Sequence, residues 1–283
     1  MDKTKGVAVA PREVSLALNL RLHLGGIISW VGWGVFLFGY LMCWIFGVGT
    51  IIASLTTFSG SMDYADGMVV NTESTSASTN DERVMKMDYV FESEGKEYRG
   101  SSFATGQFYE EGSKVPIEYS FLDPRKSRIV GLRSSTFSSG ILFVTIFPLM
   151  GLIVVVVGFL LGHSKYTILK NGQQAMARLI ETGPSNITVN DVQLTKLTFE
   201  FKTDDGESHR TSTDVQDPSE LEDDAEEALL CHPKTPSRSV MLNNLPSFVH
   251  LSESGNFTTE SGPLSSLFLP AIALAVIVLS SLV

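Results

Sequence analysis

Ala65–Phe91 reads ADGMVVNTESTSASTNDERVMKMDYVF, and Ala175–Phe201 reads AMARLIETGPSNITVNDVQLTKLTFEF. Laid over one another without a gap, at a spacing of 110 residues, they share Ala65/Ala175, Thr72/Thr182, Asn80/Asn190, Asp81/Asp191, Lys86/Lys196 and Phe91/Phe201. Apolar positions coincide as well, at Val69/Leu179, Val70/Ile180, Val84/Leu194, Met87/Leu197 and Tyr89/Phe199. A repeat sets the unit that folds. Each copy follows a long apolar run, so the expected unit is a membrane span followed by a small β-rich module.

The apolar runs are clustered rather than spread. No Asp, Glu, Lys or Arg occurs from Leu24 to Met62, from Ser134 to Ser164 or from Ser261 to Val283. One charge at the centre of a span costs about 2.5–3.5 kcal/mol on insertion scales, so runs this long and this free of charge read as membrane segments. The chain of 283 residues is 43% hydrophobic and only 18% charged, which is low in charge for a soluble protein. The first run is too long and too rich in Trp for a cleaved leader. It is read as one tilted span, with Gly25, Gly32 and Gly39 recurring every seven residues. That spacing lines one helical face with positions of close approach, or reflects only the general frequency of glycine in spans. Pro148 suggests a kink in the second span, and Gly158 and Gly162 form a lone G-x-x-x-G near its end.

The expected fold class is therefore a membrane α + β protein. Three transmembrane helices carry two small repeated all-β modules, barrel or sandwich-like, one on each side of the membrane. The expected boundaries are a lead-in over 1–24, transmembrane helix 1 over 25–52 and β module 1 over 63–133. Transmembrane helix 2 follows over 140–162, β module 2 over 170–257 and transmembrane helix 3 over 264–283. Lys3, Lys5, Arg12 and Arg21 precede the first span and Lys165, Lys170 and Arg178 follow the second, against Arg125, Lys126, Arg128 and Arg133 on the other side. This balance favours a cytoplasmic N-terminus and second module, with the first module extracytoplasmic. Val14–Leu24 alternates in period two, which argues for a strand, while its place against the membrane argues for a helical lead-in.

Within the first module, Arg83–Glu92 and Glu97–Phe103 form an expected hairpin around Ser93-Glu94-Gly95-Lys96, and Lys114–Phe121 pairs with Ser127–Leu132. Module two repeats the plan with Leu194–Lys202, Ser208–Thr213, Ala228–Cys231 and Ser239–Leu242. It adds Asp217-Pro218-Ser219-Glu220, a cap followed by Pro at the first helical position, which predicts a short helix to about Glu226. Tyr89, Phe91, Phe199 and Phe201 occupy i, i+2 positions and are expected in the cores.

The residues that carry chemistry form no recognisable motif. There is no H-E-x-x-H, G-x-S-x-G, Walker A or dinucleotide glycine fingerprint. Ser93-Glu94-Gly95-Lys96 spells S-x-x-K, but in a hairpin turn rather than on a helix. His23, His163, His209, His232 and His250 are isolated in sequence, and Cys231-His232 are strand neighbours pointing to opposite faces. No catalytic residue, cofactor or metal site is assigned, and the chain is not expected to be an enzyme. The net charge of −10 argues against nucleic acid as a partner. The expected partners are the lipid bilayer and other protein, with a homo-oligomer also compatible; the acidic tract Asp204–Glu227 reads first as a solvated face and second as a docking surface for a basic partner. The alternative is a sensor or accessory subunit in which one module binds a ligand.

Tyr89-x-Phe91, Gly95-x-x-Tyr98-x-Gly100, Gly112-x-x-Val115-x-x-x-Tyr119 and Pro124-x-x-Ser127-Arg128-Ile129-x-Gly131 resemble the bacterial membrane proteins called domain of unknown function 3592. In module two the matching pieces are Leu197-Thr198-Phe199-Glu200-Phe201, Asp205-Gly206, Leu221-Glu222-Asp223 and Pro233-x-x-Pro236 before Leu245-Pro246. The chain has Cys231-His232-Pro233 where many of those relatives have Tyr-Asp-Pro. The resemblance covers most of residues 14–255 and implies a bacterial inner (plasma) membrane location. It brings no established activity.

Overall fold

The computed structural model describes residues 6–79, 81–222, 226–260, 262 and 264–282. In chain order the helices α1 (Leu16–Leu24), α2 (Ile27–Ile45) and α3 (Val48–Thr57) are followed by strands β1 (Met62–Thr79), β2 (Glu82–Ser93), β3 (Lys96–Thr105), β4 (Lys114–Ser120) and β5 (Asp123–Ile129). A 3₁₀ turn, Ser139–Thr145, leads into α4 (Ile146–Asn171). Then come β6 (Gln173–Val189), β7 (Val192–Lys202), β8 (Ser208–Val215), α5 (Ser219–Glu222), β9 (Glu227–His232), β10 (Thr235–Met241), β11 (His250–Leu251), β12 (Phe257–Thr258) and α6 (Leu264–Ser280). The chain divides into two compact units, Val35–Leu149 and the remainder.

In the Val35–Leu149 unit, five antiparallel strands lie in the order β3-β2-β1-β4-β5. Val84, Met87, Tyr89 and Phe91 of β2 are buried, and the cluster around the last three includes Val69, Val115, Ile117 and Ile129. Fully burying an apolar side chain of this size stabilises by about 1.5–3 kcal/mol, so this face holds the sheet together. The sheet curls until its edges meet. Phe103 of β3 exchanges both backbone hydrogen bonds with Arg133, just past β5, at 2.8 and 3.1 Å.

The same unit contains the exit of the first apolar stretch. Expected as one helix over 25–52, the stretch is two helices, because Gly47 takes a left-handed φ of 61° that ends α2 and starts α3. Gly39 packs directly on Pro148, Phe46 meets Phe137 edge-on at 5.2 Å, and Ser54 and Ser134 share a 2.6 Å hydrogen bond.

In the other unit the second sheet has the order β10-β9-β6-β7-β8, which is the same order read from the opposite end. Its register also matches. Val69 pairs with Tyr89 and Leu179 with Phe199, while irregularities fall at Val69/Asn71 and at Leu179/Glu181. The turns agree too, with Asp81 and Asp191 at φ of 65° and 62°. Leu197, Phe199, Phe201, Leu229 and Met241 fill this core. The edges β8 and β10 meet through side chains, Ser239 Oγ to Thr211 Oγ1 at 2.8 Å.

The ambiguous segment 14–24 resolves into both forms. Val14 makes a parallel bridge to Phe257, and Ser15 then caps a helix by accepting from Leu18 N at 3.3 Å. The alternating leucines separate accordingly. Leu18 and Leu22, one helical turn apart, are buried, whereas Leu16 is exposed. They join Ile168, Leu169, Leu230, Val249 and Phe257 in a further apolar core that fixes β9 to α1 and the end of α4.

Over the described residues the expected helix after Asp217 is present as α5, capped where Asp217 Oδ1 accepts from Ser219 N at 3.0 Å. Residues 223–225, which include Asp223 and Asp224 of the acidic tract, lie outside the described residues, as does Asn80 of the repeat.

Candidate functional site

Aromatic and basic side chains gather where the end of α1 meets α4. Gly162 makes it possible, since a Cβ there would run into the Leu22 carbonyl and His23 Cα. This contact brings together His23 and His163, which are far apart in sequence. His23 is buried, and its Nδ1 must donate to the Asn19 carbonyl at 2.9 Å, because a carbonyl oxygen only accepts. That leaves Nε2 to accept in the neutral ring, and His163 Nδ1 stands 3.3 Å away as its donor. Phe159 and Tyr166 flank His23 at ring separations of 4.8 and 5.4 Å. Lys170 Nζ donates to the Tyr166 hydroxyl at 3.2 Å. Chemically, the pair can hold one proton between two nitrogens beside a cation and a phenol.

Nearby, Arg12 is buried, and its guanidinium is held by backbone carbonyls. Its guanidinium donates to the carbonyls of Ala8 at 2.6 Å and Gly172 at 2.8 Å, with a longer approach to Leu169 at 3.4 Å. Its backbone N–H donates to Lys170 O at 2.7 Å. A cation is thus fixed against the carbonyl-rich C-terminus of α4, where the helix dipole favours it. Burial pulls the Arg12 pKa below its ordinary value.

Cys231 and His232 do not join this cluster as ligands. The buried Cys231 thiol donates to Gln173 O at 3.4 Å, and burial pushes its pKa up, which suits an inert packing residue. His232 Nδ1 accepts from Lys234 N at 3.2 Å. Burial lowers its pKa, helped by Arg238, Lys234 and His163. Among the described residues, no group of three or more His, Cys, Asp or Glu has the geometry to hold a metal ion.

Several of the other residues singled out by sequence have structural partners. Ser93 and Lys96 face each other across the β2–β3 turn, and Ser93 Oγ donates to the Tyr119 hydroxyl at 3.1 Å. In the acidic tract, Asp205 accepts from Thr203 Oγ1 at 2.5 Å and Glu207 N at 3.2 Å, holding its pKa low. Glu227 is buried and takes a 2.6 Å bond from Asn243.

A polar seam in the first sheet was not foreseen. Tyr89 is fully buried, and its hydroxyl donates to Ser127 Oγ at 2.9 Å across the space that Gly100 leaves by having no side chain. Burial pushes the phenol up to about 12, with Ser127 and Ser102 pulling the other way. On the sheet's outer face, Asp88 gathers Ser101 at 2.5 Å, Lys86 at 3.2 Å and Asn71 at 3.3 Å. Burial raises its pKa, but these bonds outweigh burial and leave it below the usual carboxylate value.

Of the seven-residue glycine series, Gly25 faces Ser266, Gly32 faces Val155 and Gly39 faces Pro148, whereas Gly26 and Gly34 face open space. Gly158 likewise lies against Ser29. Two helices among the described residues are long and apolar enough to cross a membrane, Ile27–Ile45 and Ser139–Asn171. Val48–Thr57 and Leu264–Ser280 are shorter apolar helices. In comparisons with known proteins, no family model and no curated protein matches this chain.

Proposed function

We propose that this chain is an integral membrane protein that displays two repeated β modules, one on each side of the bilayer, and acts as an assembly or interaction component rather than an enzyme. The observation that carries the membrane reading is the exposure of the long apolar helices. Only 17% of the most apolar window of each is buried, whereas the core helix of a soluble protein is mostly covered. Side chains such as Ile27, Val31, Phe38, Ile153 and Leu160 therefore need lipid. The glycine contacts fit the same reading, because helix association in lipid relies on close approach.

On this reading α6 is the third span, the N-terminus and second module lie in the cytoplasm, and the first module is extracytoplasmic. The location is the bacterial inner membrane, and the relatives are those of domain of unknown function 3592. The two sheets descend from one duplicated unit, a view supported by their common strand order, register and bulge position. The module surfaces are the partner-facing parts, with the acidic tract of the second offered to a basic protein. Purification of the full chain in mild detergent tests this role. A stoichiometric complex well above the 30.9 kDa of one chain is expected.

The second reading is a sensor or accessory subunit in which one β module binds a ligand. A monodisperse monomer stabilised by a small ligand would favour it over the first.

A further inference from the structure

We propose that the β4–β5 turn, Phe121–Leu122, is a lipid contact that rests the first β module on the surface of the bilayer crossed by the apolar helices. The proposal builds on the reading of those helices as spans and adds how the module sits on the membrane.

Two large apolar residues occupy this turn, where Gly, Asn, Asp and Ser are the usual choices. Phe121 is 67% exposed and Leu122 91% exposed, so neither packs on its own sheet. The turn is placed by the register of β1. Met62 pairs with Ser120 and Asp63 with Tyr119, which sets Phe121 beside the start of β1, where the chain has just left α3. Phe58, in the link between α3 and β1, is held on the sheet by the Arg128 guanidinium, 4.1 Å above its ring. Arg128 is itself fixed by Glu118 at 2.6 Å. The link therefore does not act as a free tether.

Helix length supplies the rest. The 19 residues of α2 span about 28 Å at 1.5 Å each, which already matches a hydrocarbon core of about 30 Å. The ten residues of α3 are surplus, and they are apolar, with Ile52 and Leu55 half exposed. Surplus apolar helix turns or tilts to stay in lipid, and the break at Gly47 allows α3 to do so. An α3 held at the interface carries the start of β1 with it and presses the turn against the same surface. Exposed Lys126 follows the turn, placed to reach headgroup phosphates while Phe121 and Leu122 enter the acyl boundary; Arg125 is also exposed but pairs with Asp123 at 3.1 Å.

The second sheet does not share this device. Its pair His232↔Thr235 matches Ser120↔Asp123, but the residues enclosed are Pro233 and Lys234. The lipid-entering turn belongs to the first module alone.

The test uses the full-length chain in phospholipid nanodiscs, with Leu122→Cys, Glu82→Cys or Leu41→Cys carrying an environment-sensitive fluorophore. The unsubstituted chain, labelled identically, provides the blank for Cys43 and Cys231. Leu122 is so exposed that its replacement does not challenge folding. The dye at 122 is expected to emit blue-shifted and to be quenched by lipids spin-labelled near the headgroup at least twofold more than the dye at 82. Water-like emission at 122 with a lipid signature at 41 overturns the proposal and leaves the span reading intact. Water-like emission at both 122 and 41 overturns both.

Discussion

Exchanging the polar seams of the two sheets gives a quantitative test of their kinship. In the first sheet Tyr89 pairs with Gly100 across the strands and reaches Ser127 with its hydroxyl at 2.9 Å. In the second, Phe199 pairs with Thr211, and it is Thr211 that meets Ser239 at 2.8 Å. Ser127 pairs with Tyr119 as Ser239 pairs with Cys231, so the two serines hold equivalent places. The seam is thus closed by a hydroxyl delivered from opposite partners of one cross-strand pair. Tyr89→Phe alone removes a buried hydrogen bond and strands Ser127, at a cost of about 1–3 kcal/mol. Gly100→Thr alone drives a Cβ into the Tyr89 hydroxyl and Cζ, an overpacking worth about 1–3 kcal/mol, of which Tyr89→Phe removes the hydroxyl part. The double variant rebuilds the arrangement of the second sheet, so its cost should fall below the sum of the singles by about 1–2 kcal/mol. Hydrogen exchange of β2 and β3 peptides, measured on the full chain in nanodiscs, reads the local opening free energies. Simple additivity of the two single changes would refute the equivalence of the seams.

Alkaline pH should act on the first sheet through the same tyrosine. The phenol is raised to about 12 in the folded state from an ordinary value of about 10, so its contribution is complete below pH 10 and is lost as pH rises through 12. Exchange in β2 should accelerate across that window in the native chain and not in Tyr89→Phe. Asp88, held below its ordinary value, contributes stability above about pH 4 that disappears as pH falls through its lowered native value. Asp88→Asn should flatten the acid limb of exchange in β2. Arg12→Ala should loosen residues 7–24 by about 2–3 kcal/mol, since it removes charge-assisted bonds to buried carbonyls, and Arg12→Lys should recover only part of the loss. Gly162→Val should separate α1 from α4 and break the His23–His163 contact, whereas Gly34→Ala, with nothing near its Cβ position, should leave thermal stability unchanged.

The hairpins, the buried aromatic pairs and the long apolar helices were legible because each depends on local periodicity. Tyr89, Phe91, Phe199 and Phe201 alternate with polar neighbours, and all four are buried. What periodicity left undecided was settled by contacts across the fold. Leu16–Leu24 became helical because Leu18 and Leu22 have Ile168 and Phe257 to pack against, a core absent from any local window. The break at Gly47 was hidden inside an unbroken apolar run, since hydropathy does not register a positive φ. The glycines at 25, 32 and 39 could be noticed in sequence, but their role depended on Ser266, Val155 and Pro148 lying opposite them. The His23–His163 pair depends on a helix contact between residues 140 positions apart, which left no signal near either histidine. Substitution across a pair hid the seam as well, because Tyr89/Phe199 reads as simple aromatic conservation until Gly100 and Thr211 are placed beside it.

The central claim is that a membrane separates the two β modules. Glu97→Cys in β3 and Ser208→Cys in β8 both sit on exposed positions of their sheets. Intact cells expressing either full-length variant are treated with a membrane-impermeant maleimide, before and after permeabilisation. The account predicts that residue 97 labels in intact cells and that residue 208 labels only after permeabilisation. Labelling of both positions from one side would contradict it.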